Sequence, residues 1–296
     1  MSPSRQKGMA VIGALIVVAA TSVATASIME RQVVLADTLI GERDRVQAKW
    51  LLRGGVDWAR VILLNDARNN AVTLRSSVWA QPIVGLEIET PDGTRRAQFS
   101  GLIEDEQGKY NLARLASGGE VKGSELVALQ GLLQSLGMPS ALAPAIALRV
   151  AQSQVGPGRP ATAVGLRSLE DLLALEGVSR NMVAVLSEWL TVLPPGTPLN
   201  VNTARAEVLV ASLPGLDLAT ARSLVEERDG GIWFTSRGDF LNRLENTEGA
   251  RRALLDVRSE WFKVSGEVQL DHARVGMTAL LHRQGSTPPN VIWVRG

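Results

Sequence analysis

The sequence contains no cysteine among its 296 residues. It can therefore form neither a disulfide framework nor a thiolate metal site. That absence fits a reducing compartment without excluding the periplasm. Histidine is nearly absent as well. The two that occur, His272 and His282, fall in predicted strands without fixed ligand spacing, so they read as packed or exposed imidazoles. An excess of one charge sign is also missing: 31 basic and 30 acidic residues leave a net +1. Duplex-binding domains usually carry a clear basic surplus. No G-x-S-x-G, H-E-x-x-H or Walker pattern occurs. Gly156-Pro157-Gly158-Arg159-Pro160-Ala161 matches G-x-G-x-x-A by letter only. Its two prolines lack the N–H donors a phosphate needs, and no strong helix follows. These absences point away from an enzyme, and no residue receives a catalytic role.

What is present begins at the N-terminus. Residues 1–8 are short and carry Arg5 and Lys7, and Met9 to Met29 then contain no charge. That run just spans a hydrocarbon core of ~30 Å at about 1.5 Å per residue. The basic flank places the leader inside and the remainder outside. From Glu30 the pattern turns amphipathic: Leu39, Val46, Trp50, Trp58 and Ile62 recur at helical spacing. Glu42, Arg43, Asp44, Arg45, Lys49 and Arg53 are assigned to the other faces. Gly54 and Gly55 weaken this helix, each costing roughly 1 kcal/mol against alanine. One helix is expected from Met9 to about Asn65. Two processing schemes fit the N-terminus. Ala24-Thr25-Ala26 suits a signal-peptide cut that would leave Ser27 first. A prepilin-type cut between Gly8 and Met9 would instead keep the apolar helix.

Leu86 to Glu89 alternates apolar and charged residues, Pro91-Asp92-Gly93 signals a turn, and Ala97 to Ile103 forms a second strand. Residues 111–260 read as mostly helical. Ser124 is a candidate cap for a helix carrying Leu126, Leu129, Leu133 and Leu136 and ending at Gly137. Ser168 and Asp171 form a capping box. Residues 155–163 read as a Gly/Pro loop, and residues 194–198 as a stiff linker between two helical halves. After Glu260 a period of two returns at Phe262, Val264, Val268 and Leu270. It recurs at Val275, Met277, Ala279 and Leu281, and Val291 to Arg295 gives a last strand. The predicted class is α+β: a long N-terminal helix on an antiparallel sheet, interrupted by a large all-helical domain. The seven tryptophans are expected mostly in the core, with Trp50 and Trp58 joining helix to sheet.

Leu213-Pro214-Gly215-Leu216-Asp217 looks like the turn of a helix-hairpin-helix, and Leu175-Glu176-Gly177-Val178-Ser179 like a looser copy. In DNA-binding versions a second glycine lets backbone N–H groups reach a phosphate. Here Asp217 stands in that place; it would repel phosphate and cap the next helix instead. Arg222 and Arg228 are offset by Glu226, Glu227 and Asp229. A structural or protein-binding role is favoured over DNA.

Gly8-Met9-Ala10-Val11-Ile12 resembles the processing site of type IV pilin-like proteins. The segments Ile103-Glu104-Asp105-Glu106-Gln107-Gly108-Lys109-Tyr110-Asn111-Leu112, Leu199-Asn200-Val201-Asn202-Thr203-Ala204 and Leu213-Pro214-Gly215-Leu216, running on to Phe234 and Asp239-Phe240-Leu241, occur in order. Together they resemble the K subunits of type II secretion systems, the largest minor pseudopilins. The resemblance implies a pilin-like fold and a prepilin peptidase cut between Gly8 and Met9, with N-methylation of Met9. It implies a leader at 1–8, a transmembrane stretch at 9–29, a pilin-like domain over 30–110 and 261–296, and an inserted helical domain at 111–260. It also implies inner-membrane anchoring with the bulk of the chain in the periplasm. The partners it implies are I- and J-type minor pseudopilins, with H-type and major pseudopilins as further neighbours, and no nucleic acid.

Pilin-like proteins usually carry a glutamate five residues after the cut, where this chain has Gly13. A lone carboxylate in the membrane is costly, with Asp at ~2.5–3.5 kcal/mol on insertion scales. A subunit with none ahead of it gains nothing from that charge, so the resemblance makes Gly13 a marker of the filament tip. Read without the family, any small or apolar residue suits that place. Glu104, Asp105 and Glu106 read as a solvated strand end. Some K-type subunits bind calcium through hard oxygen ligands, so the resemblance keeps calcium open as a cofactor, with no ligand assigned residue by residue. Two alternatives stay in view: a tethered helix-hairpin-helix DNA-uptake protein, and an exported periplasmic enzyme beginning at Ser27.

Overall fold

The computed structural model describes residues 3–89, 93, 95–244, 248–271 and 273–296, with residues 3–8 described by backbone alone. Pro91 and Asp92 of the expected turn, and His272, lie outside the described residues.

Helix α1 runs from Pro3 to Asn69, 67 residues, or about 100 Å at 1.5 Å per residue. It ends four residues later than expected, and the Asn70 N–H still donates to the Asp66 carbonyl at 2.9 Å. Five strands follow: β1 (Ile83–Glu89), β2 (Arg96–Asp105), β3 (Trp261–Leu270), β4 (Ala273–His282) and β5 (Asn290–Arg295). They form one antiparallel sheet whose spatial order is their chain order. All five sit where the period of two placed them.

The central pair β2–β3 fixes the layout, with Ala97 opposite Leu270 and Asp105 opposite Phe262. Because strand side chains alternate faces, Ala97, Phe99 and Ile103 share one face with Phe262, Val264, Val268 and Leu270. All are buried beneath α1.

The helix face that meets them differs from the expected one. Asp44, Ala48, Leu52, Val56, Ala59, Leu63 and Asp66 are buried, a stripe with steps of three and four. Leu39, Val46, Trp50 and Trp58 stand exposed, Trp50 at 64%. The reason is size. A Cβ on Gly55 would lie 2.8 Å from the Phe99 ring, so the helix approaches the sheet too closely to accommodate indoles. Gly55 is therefore a contact point, whereas a Cβ on Gly54 would meet nothing within 4 Å. Asp44, expected on a solvated face, is buried and takes Arg95 Nη1 at 2.6 Å. Of the other tryptophans, Trp79 and Trp261 are buried, Trp189 and Trp293 half-buried, and Trp233 exposed. The expectation of mostly core indoles fails: two of the seven are buried, and the largest fully buried rings are Tyr110, Phe234, Phe240 and Phe262.

Between β2 and β3 lie residues 106–260. They hold α2 (Gly123–Ser135), α3 (Leu142–Gln152), α4 (Arg180–Leu186), α5 (Ala206–Ser212), α6 (Leu218–Asp229), α7 (Arg237–Asn242) and α8 (Glu248–Arg252). One hydrophobic cluster extends from Tyr110 to Val257. The segment at 194–198 is thus no spacer between separate halves: Asn111 Nδ2 binds the Leu193 and Pro194 carbonyls, each at 3.2 Å. Two short parallel pairings, Tyr110–Asn111 with Leu190–Thr191 and Leu199–Asn200 with Leu255–Asp256, close the base of the insert. Ser124 lies inside α2 and does not cap it. Lys122 is the N-cap, without a side-chain bond. At the other end Gly137 takes φ +67° and the Met138 N–H reaches the Leu133 carbonyl, a glycine C-cap. Asp171 accepts from the Ser168 N–H at 3.2 Å, as the capping box requires.

Candidate functional site

Every residue from Met9 to Ile40 is exposed. Among the described residues nothing packs against this half of α1, which is long and apolar enough to cross a membrane. Thr21 and Thr25 return their hydroxyls to the carbonyls of Val17 and Thr21, at 3.0 and 2.8 Å, which satisfies both groups within the helix in a medium without water. Gly8 and Met9 lie within the continuous helix. A Cβ on Gly13 would meet nothing within 4 Å, so the fold itself does not demand glycine at that position. Beyond Ile40 the outward face of α1 continues as Val46, Trp50, Trp58 and Val61, all about half exposed or more.

The second feature is a buried polar junction joining α1, the sheet and the insert. Asp105, the last residue of β2, accepts from Ser259 Oγ at 2.6 Å, Asn200 Nδ2 at 3.2 Å, the Gln107 N–H at 2.8 Å and Thr203 Oγ1. Burial raises the Asp105 pKa above the ordinary value, and the four donors only partly counter it. Asn200 also reaches the Thr73 carbonyl and Ser259 Oγ. Gln107 links the Pro198 carbonyl to the N–H groups of Glu260 and Trp261. Gly108 is required here: its Cβ would fall 2.7 Å from Thr203 Oγ1. Arg283 closes the junction, donating to Asp66 Oδ2 at 2.9 Å, the Leu63 carbonyl at 3.0 Å, Thr73 Oγ1 at 3.0 Å and the Ser259 carbonyl at 2.8 Å.

The segments around Glu104–Asn111 and Leu199–Ala204 therefore meet in space, and their shared role is to fasten the insert to the sheet. Ser259, Thr73 and Arg283 complete the junction without any motif to reveal them. The strand-end carboxylates are not solvated, contrary to expectation: Asp105 and Glu106 are buried. Burial works against the Glu104 carboxylate, but Lys109 and Lys263 outweigh it and hold its pKa below the usual value. Lys263 approaches Glu104 at 2.8 Å, and Lys109 pairs with Glu106. With their carboxylates committed to lysines and hydroxyls, these three residues do not fit a calcium site. Among the described residues no group of three or more His, Asp or Glu side chains is placed to hold a metal ion. His282 stacks on Trp261 with ring centroids 4.1 Å apart.

The Leu213–Asp217 segment joins α5 to α6. Leu213 is buried and Gly215 takes φ +89°, which favours glycine. Asp217 accepts from the Thr220 N–H at 2.9 Å and its hydroxyl at 2.7 Å, and these bonds lower its pKa. A carboxylate thus occupies the helix N-terminus that a phosphate would need. In the Leu175–Ser179 segment Gly177 takes φ +80°, and Ser179 caps α4 through the Met182 N–H at 3.2 Å.

A family model described as type II secretion system protein K matches residues 199–263, the span from the Asn200 motif to the start of β3. A type II secretion system protein K from Pseudomonas aeruginosa is 28% identical over 94% of this chain and 89% of its own. The protein of the same name from Klebsiella pneumoniae is 28% identical over 96% and 94%. The crystal structure of the GspK–GspI–GspJ complex from enterotoxigenic Escherichia coli contains a chain with the same fold. Its TM-score is 0.66 at 18% identity, covering 87% of this chain and 98% of that one. These relatives lend no support to the DNA-uptake alternative, and theirs is not an enzyme family. The family-model match lies at the junction and the two relatives align over nearly the whole chain, so the chain is similar to type II secretion system protein K along its length.

Proposed function

We propose that this protein is the minor pseudopilin at the tip of the type II secretion pseudopilus. There it nucleates assembly with I- and J-type minor pseudopilins and supports protein export across the outer membrane. The observation that carries this reading is α1. One unbroken helix is bare over residues 9–40, uncharged over 9–29, and then packs on a sheet, so the domain is rigidly coupled to a membrane spine. A signal peptide cut at Ala26 would remove the first part of that spine.

In this reading a prepilin peptidase cuts between Gly8 and Met9, and the new Met9 amine is methylated. The bulk of the chain lies in the periplasm. The pilin-like domain comprises 30–110 and 261–296, and the insert 111–260. The insert adds bulk that suits an end position better than a place inside a stack. Gly13 fits that position, because a subunit with no neighbour ahead has no amine for a carboxylate to meet, and an unpaired membrane carboxylate is costly. The I- and J-type partners are carried over from the similar complex, in which GspK is joined by GspI and GspJ; H-type and major pseudopilins would follow below. The helix-hairpin-helix at Leu213–Asp217 acts as a structural or protein-binding element.

Mass spectrometry of the mature N-terminus tests the reading. A chain beginning at N-methylated Met9 is expected. A chain beginning at Ser27 would overturn it, and so would failure to co-purify with I- and J-type subunits.

A further inference from the structure

The sheet has two outer edges, and they are built differently. Edge strand β1 is guarded. Its register shifts between Ile83 and Leu86, Gly85 takes φ +63°, and the Gly85 N–H turns to Ser100 Oγ. Glu87 and Glu89 then line it, and both pair with Arg96. Bulges and charges are how sheets keep an edge from pairing.

Edge strand β5, Asn290-Val291-Ile292-Trp293-Val294-Arg295, carries little of this protection. Its four central residues are uncharged, and Val291, Ile292 and Val294 are 40–49% exposed. Its single charge, Arg295, is engaged with Ser168 and with Glu170 at 2.9 Å in the insert. One register shift occurs, opposite Leu280 and Leu281. No described strand pairs with its outer side. An apolar, uncharged edge with open backbone donors and acceptors is a template for another strand.

The edge also borders the outward face of α1. Arg60 Nε donates to the Pro289 carbonyl at 2.7 Å and Arg68 Nη2 to that of Ser286 at 3.4 Å. The β4–β5 turn is thereby tied to α1 beside Val61, which is 52% exposed. A subunit seated along Trp50 and Val61 would have β5 within reach.

We infer that β5 is a strand-addition site. It receives an extended segment of a partner pseudopilin, apolar at alternate positions and uncharged at its centre, as a sixth strand of the sheet. This rests on the assembly reading and specifies the surface it uses.

Hydrogen exchange on the full chain in detergent, alone and with the I- and J-type subunits of the same system, tests it. Complex formation should slow alternate amides in 290–295 by at least about tenfold and leave 83–89 unchanged. Val294→Lys should weaken the complex about tenfold or more, since a charge on the edge opposes pairing. Leu86→Lys should not weaken it, and both variants should retain the parent Tm. A complex with 290–295 unchanged overturns the inference and leaves the assembly reading standing. Failure to form any complex overturns both. Protection of 290–295 in the chain alone, growing with its concentration, would mean self-pairing and also overturns the inference.

Discussion

Residues 9–40 and residues 44–66 belong to one helix, yet they meet two different solvents. In the first stretch every side chain is exposed, and from Met9 to Met29 no charge interrupts the helix on any side. Such a helix is stable only where lipid or other helices cover it. In the second stretch a stripe of small and aliphatic residues is buried, and the bulkier Trp50 and Trp58 point away. The difference shows that hydrophobicity alone does not choose the inward face. Distance chooses it: where helix and sheet are close enough for Phe99 to lie against Gly55, the inward residues must be small. The large apolar groups left outside then form a surface suited to another protein.

The sharpest way to break the packed half is at its end. Asp66 and Arg283 form a buried ion pair at 2.9 Å, and Arg283 also holds the Thr73 hydroxyl and the Ser259 carbonyl. Removing one partner strands a buried charge, at a cost of about 3–5 kcal/mol. Arg283→Ala should therefore show the largest loss in denaturant unfolding of the full chain in detergent. A loss under about 1 kcal/mol would place the pair in a solvated environment. In mid-stripe, Leu52→Ala should cost about 2–5 kcal/mol by emptying a site against Phe99 and Val268.

The two adjacent glycines separate distance from helix propensity. Gly55→Ala places a Cβ against the Phe99 ring, and overpacking of this kind costs about 1–3 kcal/mol. Gly54→Ala meets nothing and should stabilise the helix by up to about 1 kcal/mol. Equal effects at both positions, read from thermal unfolding, would refute close approach as the reason for the stripe.

These glycines also mark where sequence reasoning stopped. The helix, the five strands, the Ser168–Asp171 cap and the helical insert were legible because each repeats with a local period or carries a local cap. The inward face of α1 was not, because Trp50 offers far more apolar area to bury than Ala48 or Gly55, and nothing local reports how near the sheet lies. The junction was half legible. Asp105, Gln107, Asn200 and Thr203 stood inside segments that resembled the family, but their common task was hidden. Asp105 meets Asn200 and Ser259 from 95 and 154 positions away, and no periodicity spans that separation. Arg283 carried no signal at all. The Glu104–Glu106 cluster read as solvated because the lysines that neutralise it, Lys109 and Lys263, pair with it only in the fold.

The smallest effect on stability should come from the largest side chain. Trp50 is 64% exposed, and its ring is met by Arg53, on its own helix, at 5.0 Å. Exposed substitutions away from special features usually change stability by less than about 0.5 kcal/mol, so Trp50→Ala should leave Tm nearly unchanged. Interface anchors behave in the opposite way. An exposed tryptophan that becomes buried on binding can cost about 2 kcal/mol or more of affinity when truncated. Co-purification of Trp50→Ala with I- and J-type subunits should therefore fall sharply while the isolated chain melts as before. Were the variant to melt early and still bind fully, Trp50 would belong to the core, and the division between the two faces of α1 would be wrong.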